Sequence, residues 1–136
     1  MSVTISRAML NSILAGAAAA PGREVCGLLL GKDARITEVR QAENVAAEPS
    51  RRFELDPATL LAAHREARTG VLQVIGHYHS HPAGTVEPSA CDADMAVPDG
   101  ALWLICGPNG RYALWRAGTE GLHGRFSAVE LMVEHE

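Results

Sequence analysis

Three histidines alternate along residues 77–81, and an aspartate follows them in the next segment of the chain. The first segment reads Gly-His-Tyr-His-Ser-His-Pro over residues 76–82, and Pro-Ser-Ala-Cys-Asp follows over residues 88–92. Imidazole and carboxylate groups together form the ligand set of catalytic zinc sites, which keep one coordination position open. This stretch therefore indicates a catalytic metal site.

The alternation predicts that the histidines share one face of a strand. Residues two apart in a β-strand point the same way, so His79 and His81 can approach one metal together. His77 falls on that face as well, and the spacing alone leaves three histidines competing for the metal. Zinc is the first choice for nitrogen and carboxylate ligands, while iron and manganese accept similar sets.

Asp92 is the candidate third ligand. Ser89 is expected to open a short helix, and an aspartate on the first turn of that helix can swing back to the strand end. Asp92 could instead be only the carboxylate of a capping box begun by Ser89. Asp94 is a second nearby carboxylate, which could be a metal ligand or a solvated surface charge. Burying several imidazoles without partners is costly, which favours the metal site.

The surrounding sequence predicts interleaved helices and strands. Serine or aspartate caps, proline and the hydrophobic spacing indicate helices over 6–20, 56–68 and 89–96. Apolar runs bounded by turn residues indicate strands over 25–30, 36–39, 72–78, 102–106 and 112–115. Residues 44–52 are predicted to form a loop, and residues 126–133 fit a strand or a helix equally well. This order favours an α/β (α+β) sandwich with a largely antiparallel or mixed sheet.

The size and composition fit one globular domain over residues 1–136. The chain has 136 residues and a net charge of −4 with no basic stripe, which argues against a nucleic-acid partner. No signal peptide is evident and no apolar run reaches the roughly 18 residues of a membrane span. Three cysteines without a CxxC pair fit a reducing, cytoplasmic environment.

These motifs resemble the JAMM (MPN-plus) zinc metalloprotease family, in particular its small stand-alone bacterial members. The family signature has an upstream glutamate, His-x-His, seven residues, a serine, two residues and an aspartate. Here His79 and His81 are followed by residues 82–88, then Ser89 and Asp92. Glu24 begins a segment similar to the family's Glu-x-x-Gly-x-Leu-x-Gly, and the resemblance covers most of the chain.

The resemblance implies a fold and a role for each matched residue. The expected fold is a cytidine-deaminase-like MPN sandwich, in which helices flank a curved mixed or antiparallel sheet with zinc at its edge. One Zn²⁺ per chain would be held by His79, His81 and Asp92. Glu24 would be the general base that takes a proton from the zinc-bound water, and the Ser89 hydroxyl would support the tetrahedral intermediate. His77 departs from the family pattern and receives no metal role.

The resemblance also implies a reaction and a partner. The expected activity is hydrolysis of the peptide or isopeptide bond after the C-terminal Gly-Gly of a ubiquitin-like or sulfur-carrier protein. A glycine tail can lie extended in a narrow groove and pair with a strand edge. Two other hypotheses remain: a non-catalytic scaffold of the MPN type, and a zinc hydrolase that acts on small molecules. The oligomeric state is left open by the sequence.

Overall fold

The computed structural model describes residues 2–70 and 72–135 of the chain. Within these residues the chain forms three helices and seven strands. The helices are α1 (Arg7–Ala19), α2 (Pro57–Thr69) and α3 (Ala90–Met95). The strands are β1 (Ser2–Ser6), β2 (Cys26–Lys32), β3 (Arg35–Ala42), β4 (Gln73–Ser80), β5 (Leu102–Cys106), β6 (Tyr112–Leu122) and β7 (Phe126–Glu134).

The strands form one mixed sheet that closes on itself in the order β1-β3-β2-β4-β5-β6-β7. β1 runs parallel to both β3 and β7, and β4 runs parallel to β5, whereas the other neighbours are antiparallel. The predicted α/β domain with a mixed sheet and flanking helices is confirmed. The closure was not predicted, because β1 has only five residues and runs directly into α1 without a turn signal.

The two long helices cover opposite faces of the sheet. α1 places Leu10, Ile13 and Ala17 in a core shared with alternate residues of the strands, such as Leu29. α2 packs Ala63 against Leu28 and Leu30, which point to the opposite face of the sheet. Because neighbouring residues of a strand point to opposite faces, β2 is buried on both sides, as its continuous apolar run predicts.

Both long helices begin at the predicted caps. The Ser6 hydroxyl accepts a hydrogen bond from the Met9 N–H at 3.1 Å. Asp56 accepts one from the Ala58 N–H at 3.3 Å, with Pro57 at the first helical position. These contacts satisfy amide groups that a helix start otherwise leaves unpaired. In the part of the chain that the structure describes, no helix has the length and apolar character needed to cross a membrane.

Several strands run further than the sequence indicates, among them β4 and β6. β4 continues two residues past the predicted end at Tyr78, so that His79 is still paired within the sheet, between β2 and β5. β6 extends to Leu122, beyond its predicted end at residue 115. The undecided segment at 126–133 is strand β7, because it pairs with β6 on one side and β1 on the other.

Gly27 on β2 allows this strand to lie close to the Tyr78 side chain of β4. A Cβ atom at Gly27 would collide with the Tyr78 ring and with the carbonyl oxygen of Arg40. Tyr78 points to the α1 face of the sheet and is 6% exposed. The neighbouring histidines of β4 therefore point to the other face, beside α2 and α3.

Candidate metal centre

His79, His81 and Asp92 meet at the C-terminal end of β4. The two Nε2 atoms lie 3.1 Å apart, and Asp92 Oδ2 lies 3.3 Å from His79 Nε2 and 3.0 Å from His81 Nε2. None of the three residues is more than 6% exposed. The sequence brings them together because β4 directs alternate residues to one face and α3 begins beside the strand end.

Glu24, two residues before β2, faces the same point. One ligand atom each from Glu24, His79 and His81 lie within 4.8 Å of one another, and Glu24 is 4% exposed. Its Oε1 atom is buried and has no hydrogen-bond partner among the described residues. Burial raises the pKa of Glu24 to about 7, so this carboxyl group can gain or release a proton near neutral pH.

The pKa of Asp92 is shifted in the opposite direction from that of Glu24. Burial by itself would raise the pKa of Asp92, but hydrogen bonds with His79 and His81 outweigh burial and hold that pKa well below its ordinary value. The N–H of Ser89 also donates to Asp92 Oδ2 at 2.9 Å. Asp92 is therefore a stable anion, whereas Glu24 is poised to exchange a proton.

Ser89 and Asp92 form the capping box that the sequence suggested. The Asp92 N–H donates to Ser89 Oγ at 3.0 Å, which completes the reciprocal pair at the start of α3. The cap and the approach to the histidines are thus compatible, because one Asp92 carboxylate makes both sets of contacts. Asp94, the other nearby carboxylate, is exposed on α3.

The two histidines have different local environments, which shift their pKa values in opposite directions. His81 Nδ1 lies 3.0 Å from the carbonyl oxygen of Thr85, which accepts a ring proton from Nδ1, while Nε2 faces Asp92 at 3.0 Å. Burial alone would lower the pKa of His81, but the hydrogen bond with Asp92 and the charges of Asp92 and Glu24 raise it. Burial lowers the pKa of His79, so its uncharged form is favoured. Neutral imidazoles are the form that binds metals.

His77 lies apart from the Asp92 contacts, although it shares the strand face. Its ring packs 4.4 Å from the Trp103 ring and 5.3 Å from the Phe53 ring, measured between centroids. Burial lowers the pKa of His77 to about 3, so it is an uncharged member of an aromatic group. The spacing alone could not separate His77 from the other two histidines.

Asn44 is an organising residue that the sequence did not reveal. Its Nδ2 donates to the carbonyl oxygens of Glu24 at 2.8 Å and Arg52 at 3.1 Å. Its Oδ1 accepts from the N–H groups of Ala46 and Glu54, each at 3.0 Å. One buried amide therefore ties the backbone of Glu24 to the loop before α2. A single asparagine at the start of a polar loop carries no spacing pattern that would identify this role.

The donor set fits a zinc ion. Two imidazole nitrogens and one carboxylate oxygen converge, and beside them stands a further buried carboxylate oxygen that has no hydrogen-bond partner among residues 2–70 and 72–135. The group opens onto a cleft of about 410 Å³. This cleft is lined by Glu24, Ser50, Arg51, His81, Pro82, Ala83, Thr85 and Ser89. Such a site can bind a metal ion and leave room for a substrate.

The sequence is similar to known prokaryotic proteins over most of its length. The family described as prokaryotic homologs of the JAB domain matches residues 6–118. A desampylase from Haloferax volcanii is 43% identical over 71% of this chain and 70% of the relative. A desampylase from Pyrococcus furiosus is 36% identical over 82% of this chain and 76% of the relative.

Solved structures share the fold. A protein from Desulfitobacterium hafniense superposes with a TM-score of 0.83 at 26% identity, covering 98% of this chain and 94% of its own. A structure described as a JAMM metalloprotease-like zinc site in the proteasome and signalosome gives a TM-score of 0.61 at 21% identity. That match covers 98% of each chain and concerns the fold alone.

The Asn44 contacts predict a large loss of stability when the amide is removed. We expect Asn44→Ala to lower the free energy of unfolding by about 2–4 kcal/mol. The buried carbonyl oxygen of Glu24 loses its partner at a cost of roughly 1–3 kcal/mol, and three part-buried backbone groups lose theirs at a smaller cost. Urea denaturation followed by circular dichroism measures the loss.

Asn109→Ala is the matched control for this prediction. Asn109 is exposed and its Oδ1 accepts one hydrogen bond, from the Arg111 N–H at 3.2 Å. The control should change stability by less than about 1 kcal/mol. Equal losses for the two variants would contradict the organising role of Asn44.

Proposed function

The chain belongs to the prokaryotic homologs of the JAB domain, and on that premise we propose that it is a zinc-dependent peptidase or isopeptidase. Its substrate would be a ubiquitin-like or sulfur-carrier protein, cut after a C-terminal Gly-Gly. The chain is a JAMM-type hydrolase, as its similarity to the two desampylases indicates. The observation that carries the finer proposal is the convergence of Glu24, His79, His81 and Asp92 beside one cleft.

We assign one Zn²⁺ per chain to His79, His81 and Asp92. Asp92 supports this assignment because it is anionic and contacts both Nε2 atoms, whereas Glu24 has a raised pKa. Zinc, when bound at such a site, lowers the pKa of a coordinated water towards neutrality and polarises the scissile carbonyl. The fixed positions of β4 and α3 hold the three ligands in place without a large rearrangement.

Glu24 acts as the general base in this proposal. Its carboxylate lies beside the histidines and can accept a proton from the attacking water, then deliver it to the leaving amine. A pKa of about 7 suits both transfers at neutral pH. The low pKa of Asp92 makes that residue a poor proton acceptor and a better ligand.

In this proposal Ser89 stabilises the transition state. Its Oγ accepts the Asp92 N–H as part of the helix cap, which leaves the hydroxyl hydrogen free to donate. Ser89 also lines the cleft together with Glu24 and His81. A donor aimed at the developing oxyanion typically contributes a few kcal/mol to catalysis.

The substrate class rests on the two relatives. Both relatives are named desampylases, and this name fits the ubiquitin-like partner that we propose for this chain. An extended glycine tail suits a narrow cleft because glycine lets the backbone approach the site closely. Within this chemistry, the leaving group is an amino acid or peptide of a sulfur carrier, or a lysine of a conjugate.

The three cysteines are free thiols, which supports a cytoplasmic location.

The zinc assignment predicts that one carboxylate on α3 controls metal affinity. We expect Asp92→Asn to weaken Zn²⁺ binding at least roughly tenfold, because the variant loses the charge while keeping the side-chain size. Asp94→Asn is the control, since it makes the same change at an exposed position of the same helix. Competition titration with a chromophoric chelator measures both. Equal, wild-type affinity in the two variants would exclude Asp92 as a ligand.

The general-base assignment predicts a loss of turnover without a loss of metal. We expect Glu24→Gln to reduce cleavage at least roughly 100-fold while one Zn²⁺ stays bound, because the amide cannot accept the proton. The probes are a ubiquitin-like carrier with one residue after Gly-Gly and the same carrier joined to a lysine side chain.

Glu54→Gln, at an exposed position of the neighbouring loop, should leave both zinc content and turnover unchanged. Near-native cleavage by Glu24→Gln would refute the mechanism. Zinc-loaded wild-type protein that cuts neither carrier would instead favour the non-catalytic scaffold. Cleavage of small amides but of neither carrier would favour the small-molecule hydrolase.

A further inference from the structure

The ring of Phe53 lies flat against the ring of His79. Their centroids are 4.2 Å apart and the planes differ by 20°, which is a stacked arrangement. Phe53 is 4% exposed and His79 is fully buried, so water does not separate the rings. Trp103 meets the same histidine edge-on, with centroids 5.8 Å apart and planes at 82°. His79 is thus confined by aromatic surfaces on more than one side.

His79 lacks the hydrogen bond that usually orients a metal-binding imidazole. A ligand histidine normally donates its second ring N–H to a carbonyl, a carboxylate or water. His81 follows this rule, because its Nδ1 faces the Thr85 carbonyl oxygen at 3.0 Å. The buried Nδ1 of His79 has no such partner among the described residues. Ring packing must therefore supply the orientation that a hydrogen bond supplies for His81.

The loop that carries Phe53 is itself fixed. The residues on either side of Phe53 are bound by Asn44, through the Arg52 carbonyl oxygen at 3.1 Å and the Glu54 N–H at 3.0 Å. Asn44 also holds the Glu24 carbonyl oxygen at 2.8 Å. The aromatic ring and the proposed base therefore have a common anchor, and Phe53 has little freedom to move away from His79.

We infer that Phe53 is a positioning residue, which sets the orientation of His79 towards the metal through ring stacking in place of the usual hydrogen bond. The inference rests on the proposed role of His79 as a ligand. Packing of this kind restrains rotation about the histidine side-chain bonds without adding a charge or an acceptor. Removing the flat ring should loosen the ligand more than it loosens the fold.

Phe53→Leu tests this inference, with Phe53→Met as a second variant that fills the space without a ring. Co²⁺ is the probe, added to the full chain, because its visible absorption reports ligand geometry as well as affinity. We expect both variants to bind Co²⁺ at least roughly tenfold more weakly, with a changed absorption spectrum. Phe53→Tyr keeps a flat ring and should restore the affinity and spectrum of the wild type.

Phe126→Leu is the matched control. Phe126 is fully buried and meets Trp103 edge-on, with centroids 4.9 Å apart and planes at 70°, so the substitution also removes a core ring beside the site. It should lower the free energy of unfolding while leaving Co²⁺ affinity and spectrum unchanged. Unchanged Co²⁺ binding by both ring-free variants, or an equal loss in Phe126→Leu, would overturn the inference.

The same metal-binding experiment distinguishes failure of the proposed function from failure of the inference about Phe53. If the wild-type chain bound neither Co²⁺ nor Zn²⁺, the metal assignment and the inference would both fall. If the wild type bound metal and Phe53→Leu bound it equally well, the metal assignment would stand and only the role of Phe53 would be rejected.

Discussion

Burial of several titratable groups at one point is the constraint on which the rest of the structure depends. Glu24, His79, His81 and Asp92 are each at most 6% exposed, and their polar atoms face one another. Removing a carboxylate from water is costly unless it is paired or binds a cation. The histidines partly compensate Asp92, whereas Glu24 Oε1 has no hydrogen-bond partner in the part of the chain that the structure describes. A divalent cation is the simplest group that offsets the burial of both carboxylates.

The fold meets this constraint by bringing the groups together from three well-anchored places: the end of β4, the start of α3 and the residues just before β2. β4 lies between β2 and β5 in a closed sheet, so the ends of neighbouring strands come together. The capping box of α3 fixes Asp92, and Asn44 fixes Glu24 together with the loop of Phe53. The site therefore depends on hydrogen bonds to backbone atoms, which hold position more strictly than apolar packing alone.

Much of this arrangement could be predicted from the sequence because it is encoded in short-range patterns. Alternation along a strand places His79 and His81 together, and a serine three residues before Asp92 marks a helix start. The closed sheet could not be predicted, since the pairing of β1 with β7 joins the two ends of the chain. The contacts of Asn44 and Phe53 were missed for the same reason, because both connect residues that are distant in sequence or lie in an irregular loop.

The central claim is that one metal ion is held by two histidines and Asp92, with Glu24 beside it as a base. The most direct measurement is a crystal structure of the zinc-loaded protein with anomalous diffraction at the zinc edge. The account predicts one anomalous peak, about 2.0–2.2 Å from Nε2 of His79, Nε2 of His81 and a carboxylate oxygen of Asp92. Glu24 should lie outside the ligand set. A peak ligated by Glu24 instead of Asp92, or by a cysteine thiolate, would contradict the account.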